Sequence, residues 1–100
     1  MLDFRILKEE SDPENWEETM KVWKQKIIEH FKIETRDGKV HFPDPDEFRK
    51  QPEVAAAQLG NIEKAQEFIR AIPDTLPLPE ESWPYFQNLC KEFGITEGIP

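Results

Sequence analysis

Trp16, Met20, Trp23, Ile27 and Phe31 recur at intervals of three and four residues, and this run constrains the fold more than any other part of the chain. Stepped at about 100° per residue, they fall on a stripe about 80° wide. Glu14, Glu18, Lys21, Gln25, Glu29 and Lys32 lie opposite. An amphipathic helix follows, and its apolar face has to be laid on something. Asp12 is a good N-cap for it, Pro13 suits the first helical position, and Glu14, Glu17 and Glu18 favour the positive end of its dipole. Glu17 and Lys21 form an i,i+4 pair in the better orientation, which contributes a few tenths of a kcal/mol. Val22 and Ile28 flank the stripe, where they widen the buried face or stay partly exposed.

Immediately after that helix the period changes. Lys32-Ile33-Glu34-Thr35-Arg36 and Lys39-Val40-His41-Phe42 alternate, with Asp37-Gly38 between them. Asp-Gly joining two alternating runs is the favoured signal for a two-residue type I′ hairpin. Pro43 ends the second strand because it cannot donate to a ladder. Before the helix, Leu2, Phe4 and Ile6 alternate with Asp3 and Arg5, which predicts a short first strand.

The second half is helical. Asp44-Pro45 opens a short helix that stops before Pro52. Ala55, Leu59, Ile62, Ala65, Ile69 and Ile72 then share one face, flanked by Val54 and Phe68, and Pro73 ends the run. Gly60-Asn61 interrupts it and leaves two readings. Either Gly60 ends one helix and Asn61 caps the next, or one helix continues at a cost of about 1 kcal/mol relative to Ala. Pro73 to Pro79 is stiff and extended. Ser82 and Pro84 start a last helix that runs to Phe93, with Phe86, Leu89, Cys90 and Phe93 on its apolar face. Gly94 stops it, and Ile95 supplies the hydrophobic contact that often follows such a glycine.

Together these elements predict a single α+β domain over residues 1–100: a short N-terminal strand, a long amphipathic helix, an Asp-Gly β-hairpin, then two to four helices. The alternative is a mainly helical domain with one hairpin, the Leu2–Ile6 segment being an extended arm.

Charge narrows the choice of partner. The chain carries 21 acidic against 13 basic residues, a net −8. Nucleic-acid phosphates and anionic membranes are therefore disfavoured partners, while basic proteins are attracted. Lys32, Arg36, Lys39, Arg49 and Lys50 surround the hairpin, but the interspersed Glu34, Asp37, Asp44, Asp46 and Glu47 deny it a clean basic face. Cys90 is alone, so no disulfide closes within the chain. Asp3 and Arg5 stand where a secretory leader carries its apolar run, and no stretch of about 18 apolar residues could span a bilayer. A reducing, cytoplasmic setting is expected.

Catalytic signatures are lacking: no glycine-rich phosphate loop, no Gly-x-Ser-x-Gly elbow, no His-Glu-x-x-His. His30, at the edge of the apolar stripe, reads as a half-buried structural histidine. His41 reads as solvent-facing, opposite Val40 and Phe42. Cys90 shares its helix face with Phe86, Leu89 and Phe93 and reads as buried and inert. Adjacent acids such as Glu9-Glu10 and Glu80-Glu81 have nothing apolar around them to raise a pKa. No catalytic residue, metal ligand or cofactor is assigned.

Two features suit binding better. One is the acidic cluster of Glu9, Glu10, Asp12, Glu14, Glu17 and Glu18, from which Glu10, Glu14, Glu17 and Glu18 are the candidate contacts for a Lys- or Arg-rich partner. The other is Pro77-Leu78-Pro79 followed by Trp83 and Tyr85, an interface anchor if the two rings are exposed. The expected function is a non-enzymatic protein-interaction domain: a small acidic adaptor, regulator or complex subunit. One alternative is an acidic inhibitor or immunity-type protein that occludes a basic, nucleic-acid-binding or nuclease surface. Another is a small enzyme or ligand-binding domain using His41 with the Asp44–Glu47 carboxylates.

Overall fold

Trp16–Phe31 is helical, as its spacing demands, and it lies at the centre of an α+β arrangement. The computed structural model describes residues 4–96. Among them the order is α1 (Phe4–Glu9), α2 (Trp16–Phe31), β1 (Thr35–Arg36), β2 (Lys39–Val40), α3 (Pro45–Lys50), α4 (Pro52–Thr75) and α5 (Trp83–Glu92), with a 3₁₀ turn at Glu80–Ser82 leading into α5. The strands form a two-stranded antiparallel hairpin in the register Thr35 to Val40 and Arg36 to Lys39. Asp37 and Gly38 both have positive φ, 54° and 76°. That is the backbone a type I′ turn requires, and only small or Asx-type residues adopt it cheaply.

The segment expected to be the first strand is helical where it is described. Leu2 and Asp3 lie outside the described residues, and Phe4–Glu9 form α1. The spacing of Phe4 and Leu7 suits a helix as well as the alternation of Phe4 and Ile6 suits a strand, and so short a run leaves both periods open. Tertiary structure decides. Leu7 is fully buried, and its carbonyl accepts from the Trp23 indole Nε1–H at 2.9 Å and from the Ser11 hydroxyl at 2.8 Å.

The start of α2 lies three residues later than the Asp12-Pro13 pair predicts. Asn15 is the N-cap, its Oδ1 accepting from the Glu18 N–H at 3.2 Å. Asp12 instead turns the preceding loop, accepting the Glu14 N–H at 3.0 Å. Buried Thr19 holds that loop: its hydroxyl accepts the Asp12 N–H at 2.8 Å and donates to the Asn15 carbonyl at 3.0 Å. At its other end α2 closes on Lys32 in the left-handed region, φ 54°, with the Ile33 N–H reaching back to the Ile28 carbonyl at 3.0 Å. The chain then turns straight into the hairpin.

One helix runs through Gly60, whose missing Cβ would have met nothing within 4 Å. Pro73 does not end it. The proline lies in the last turn, where it removes a single backbone bond, and the Leu76 N–H still reaches the Ile72 carbonyl at 2.7 Å. Leu59, expected in the core, is 36% exposed, and Gln58 is buried in its stead. Ser82 stands at the N-cap position of α5, as expected, but its side chain makes no capping bond. It is buried in the 3₁₀ turn, with its hydroxyl donating to the Pro79 carbonyl at 2.7 Å.

The expected stop at Gly94 holds: its φ is +78°, and the Ile95 N–H bonds the Cys90 carbonyl at 2.9 Å while Ile95 buries its side chain. This is the Schellman arrangement with its hydrophobic contact.

The core lies between α2, α4 and α5. Trp23, Ile27, Ile62, Ile69, Ile72, Phe86 and Phe93 are each at most 1% exposed. Phe4 stacks on Phe68 at 4.6 Å, and Trp16 meets Trp23 edge-on at 6.5 Å. Cys90 belongs to this core at 2% exposure, and burial pushes its thiol up from 9.0 to about 11, against the opposing pull of the Arg70 guanidinium. A raised folded-state value stabilises the fold below the unfolded thiol's pKa, and that contribution is lost as pH climbs from 9.0 to about 11. At pH 8 native Cys90 should therefore resist iodoacetamide and be modified fully only in denaturant. Native labelling at the rate of a free thiol would contradict this burial.

Candidate functional site

The first turn of α2 and the start of α5 form a corner. Glu14 and Glu17 come to it from α2 and the loop before it, Glu81 from the 3₁₀ turn and Tyr85 from α5, around a cleft of about 260 Å³ that Pro13, Asn15 and Trp16 complete. No lysine or arginine lines it. Glu14 and Glu81 form no ion pair with another described residue, while Glu17 has Lys21 at 3.9 Å with both side chains well solvated. Such an exposed pair adds little.

A second groove, of about 320 Å³, continues along the α2–α5 seam and shares Glu17 and Tyr85 with the first. Met20 and Leu89 floor it. Lys24 stands at its far end, only 15% exposed along its side chain, its ammonium donating to Glu92 at 3.0 Å and to the Gly38 carbonyl at 2.8 Å. That contact ties α2, the hairpin turn and α5 together.

The structure thus gathers some of the expected contacts and disperses others. Glu14, Glu17 and Tyr85 converge. Glu18 is exposed but lines neither cleft, and Glu10 sits at the end of α1, 3.9 Å from Lys26. The two aromatic candidates part company. Trp83 is half-buried and packs edge-on against Phe86 at 5.7 Å, whereas Tyr85 is 40% exposed. Glu81 belongs to the corner although it lies more than sixty residues from the acidic cluster.

The histidines exchange their expected places. His30 is exposed, edge-on to Phe31 at 4.8 Å. His41 is largely enclosed, with Nε2 at 2.7 and 2.9 Å from the two Glu47 carboxylate oxygens. The reason is α3. Asp44 caps it through the Glu47 N–H at 2.9 Å, and this first turn swings Glu47 over the hairpin. Asp46 points elsewhere, 3.8 Å from Arg49. Neither His41 nor Glu47 lines the clefts of the α2–α5 seam. Among the described residues no group of three or more His, Cys, Asp or Glu could hold a metal ion, and no helix is long and apolar enough to cross a membrane.

No family model matches the chain, and no curated protein or solved structure matches it.

Proposed function

We propose that this chain is a non-enzymatic protein-interaction domain whose acidic corner docks a Lys- or Arg-rich surface of another protein. One observation carries the reading: Glu14, Glu17 and Glu81 converge on the exposed ring of Tyr85 with no cation among the cleft's lining residues. Carboxylates held near one another repel, and an incoming cation relieves that repulsion while attracting all of them. The tyrosine face adds a cation–π contact of about 0.5–1 kcal/mol at an exposed site. The net charge of −8 steers a basic partner from a distance. A reducing, cytoplasmic setting is part of this reading, and the lone buried thiol of Cys90 is compatible with it.

The His41 alternative has less support: the imidazole meets Glu47 at 2.7 and 2.9 Å, but neither residue lines either cleft of the α2–α5 seam.

The test is capture from the native cells with tagged protein at low and high salt, run beside a Glu14→Lys, Glu81→Lys variant. A stoichiometric basic partner should be retained by the parent at low salt, released at high salt, and lost from the variant, whose melting temperature should move by no more than a few degrees. A partner bound equally by both proteins would overturn the assignment of the corner. If the captured partner acts on nucleic acid and the domain suppresses that activity, the domain is an inhibitor of the occluding kind.

A further inference from the structure

Resting on the acidic-corner reading, we infer that the α2–α5 seam takes a linear segment of the partner that presents an arginine beside one large aliphatic side chain, the arginine to the corner and the aliphatic group to the groove floored by Met20 and Leu89. The two concavities share Glu17 and Tyr85, so they are neighbouring seats along one seam and not separate sites. Their chemistry differs. The corner offers Glu14, Glu17 and Glu81 and no cation, while the groove floor is thioether and isobutyl, with the exposed Tyr85 ring between the two.

Charge orients the occupant. At the far end of the groove the Lys24 ammonium is already satisfied by Glu92 and by the Gly38 carbonyl, and Lys21 stands nearby. A second cation is unwelcome there, so the segment lies with its basic residue at the corner and a neutral or acidic residue toward Lys21. Arginine suits the corner better than lysine. Its planar guanidinium can stack on Tyr85 while its fork of N–H groups faces more than one carboxylate, whereas an ammonium is a compact, strongly hydrated point charge. The groove, at about 320 Å³, has room for a side chain or two. An aliphatic side chain entering it contributes by area removed from water, a term that salt does not screen.

The experiment uses two fluorescein-labelled peptides of equal charge, one carrying arginine beside leucine, the other with that leucine replaced by serine, titrated by anisotropy with the whole protein at low salt. The leucine peptide should bind at least tenfold more tightly. Asn88 is exposed on the groove wall, and Asn88→Trp should fill the groove and reduce the leucine peptide to the affinity of the serine one. If that variant loses melting temperature, Asn88→Tyr, a smaller ring at the same exposed position, asks the same question. The Glu14→Lys, Glu81→Lys variant should weaken both peptides alike. Equal binding of the two peptides, both sensitive to the charge reversal, would overturn the groove and leave the acidic corner standing. Failure of both peptides to bind at low salt would overturn the corner as well.

Discussion

Trp23→Ala is expected to destabilise the fold by about 3–5 kcal/mol, a large part of the roughly 5–15 kcal/mol that holds a native domain together. Trp23 is 1% exposed at the middle of α2, and Trp16 packs edge-on against it. Removing the indole opens a cavity between helices that close only in part, and it takes away the Nε1–H bond to the Leu7 carbonyl that ties α1 to α2. Trp23→Phe separates the two losses. It keeps the six-membered part of the apolar contact and gives up the bond together with the volume of the pyrrole ring, for about 1–2 kcal/mol, because the Ser11 hydroxyl still serves the same carbonyl. Urea unfolding followed by far-UV circular dichroism measures both. A cost below about 1.5 kcal/mol for the alanine variant would mean that α2 is not seated on the core through this ring.

How far the chain discloses its own fold depends on whether the deciding forces are local. The Trp16–Phe31 stripe, the Asp37-Gly38 turn and the Gly94 stop are each set by a few adjacent residues, and each is found where the sequence places it. Phe4–Glu9 fails as a strand for the opposite reason: its conformation is decided by Trp23, sixteen residues beyond Leu7. Asn15 displaces Asp12 as the cap because Thr19 secures the intervening loop, a contact that no spacing rule contains. The candidate site divides in the same way. The acidic cluster is plain in the sequence, yet a helix distributes its residues around an axis, so Glu17 turns to the seam while Glu18 faces away. Glu81 and the Met20–Leu89 floor enter only through the packing of α5 against α2. Periodicity assigned Leu59 to the buried face of α4, and tertiary packing chose Gln58.

Gln58 is expected to be the costliest polar residue to lose. It is 6% exposed on α4, and its amide acts as a missing strand beside the hairpin. Its Oε1 accepts the Glu34 N–H at 3.0 Å, and its Nε2 donates to the carbonyls of Glu34 and His41, each at 3.0 Å. The Glu34 carbonyl has a second donor in the His41 N–H, but the Glu34 N–H and the His41 carbonyl lose this partner in Gln58→Leu. At about 1–3 kcal/mol for each orphaned group, less where water reaches it, a loss of about 2–4 kcal/mol follows. Gln58→Glu makes the assignment specific, because it preserves shape and an acceptor while removing the donor. The ionised carboxylate would place an oxygen against two carbonyl oxygens, and only the protonated form could donate to one of them. The introduced carboxyl should therefore titrate above the ordinary glutamate value of about 4.3 in the folded state. Its penalty relative to the parent should be largest near neutral pH and shrink as pH falls toward and below about 4.3, by at most about 1.4 kcal/mol per pH unit. A deficit for Gln58→Glu that stays the same between neutral and acidic pH would mean that the hairpin is held to α4 by something other than this amide.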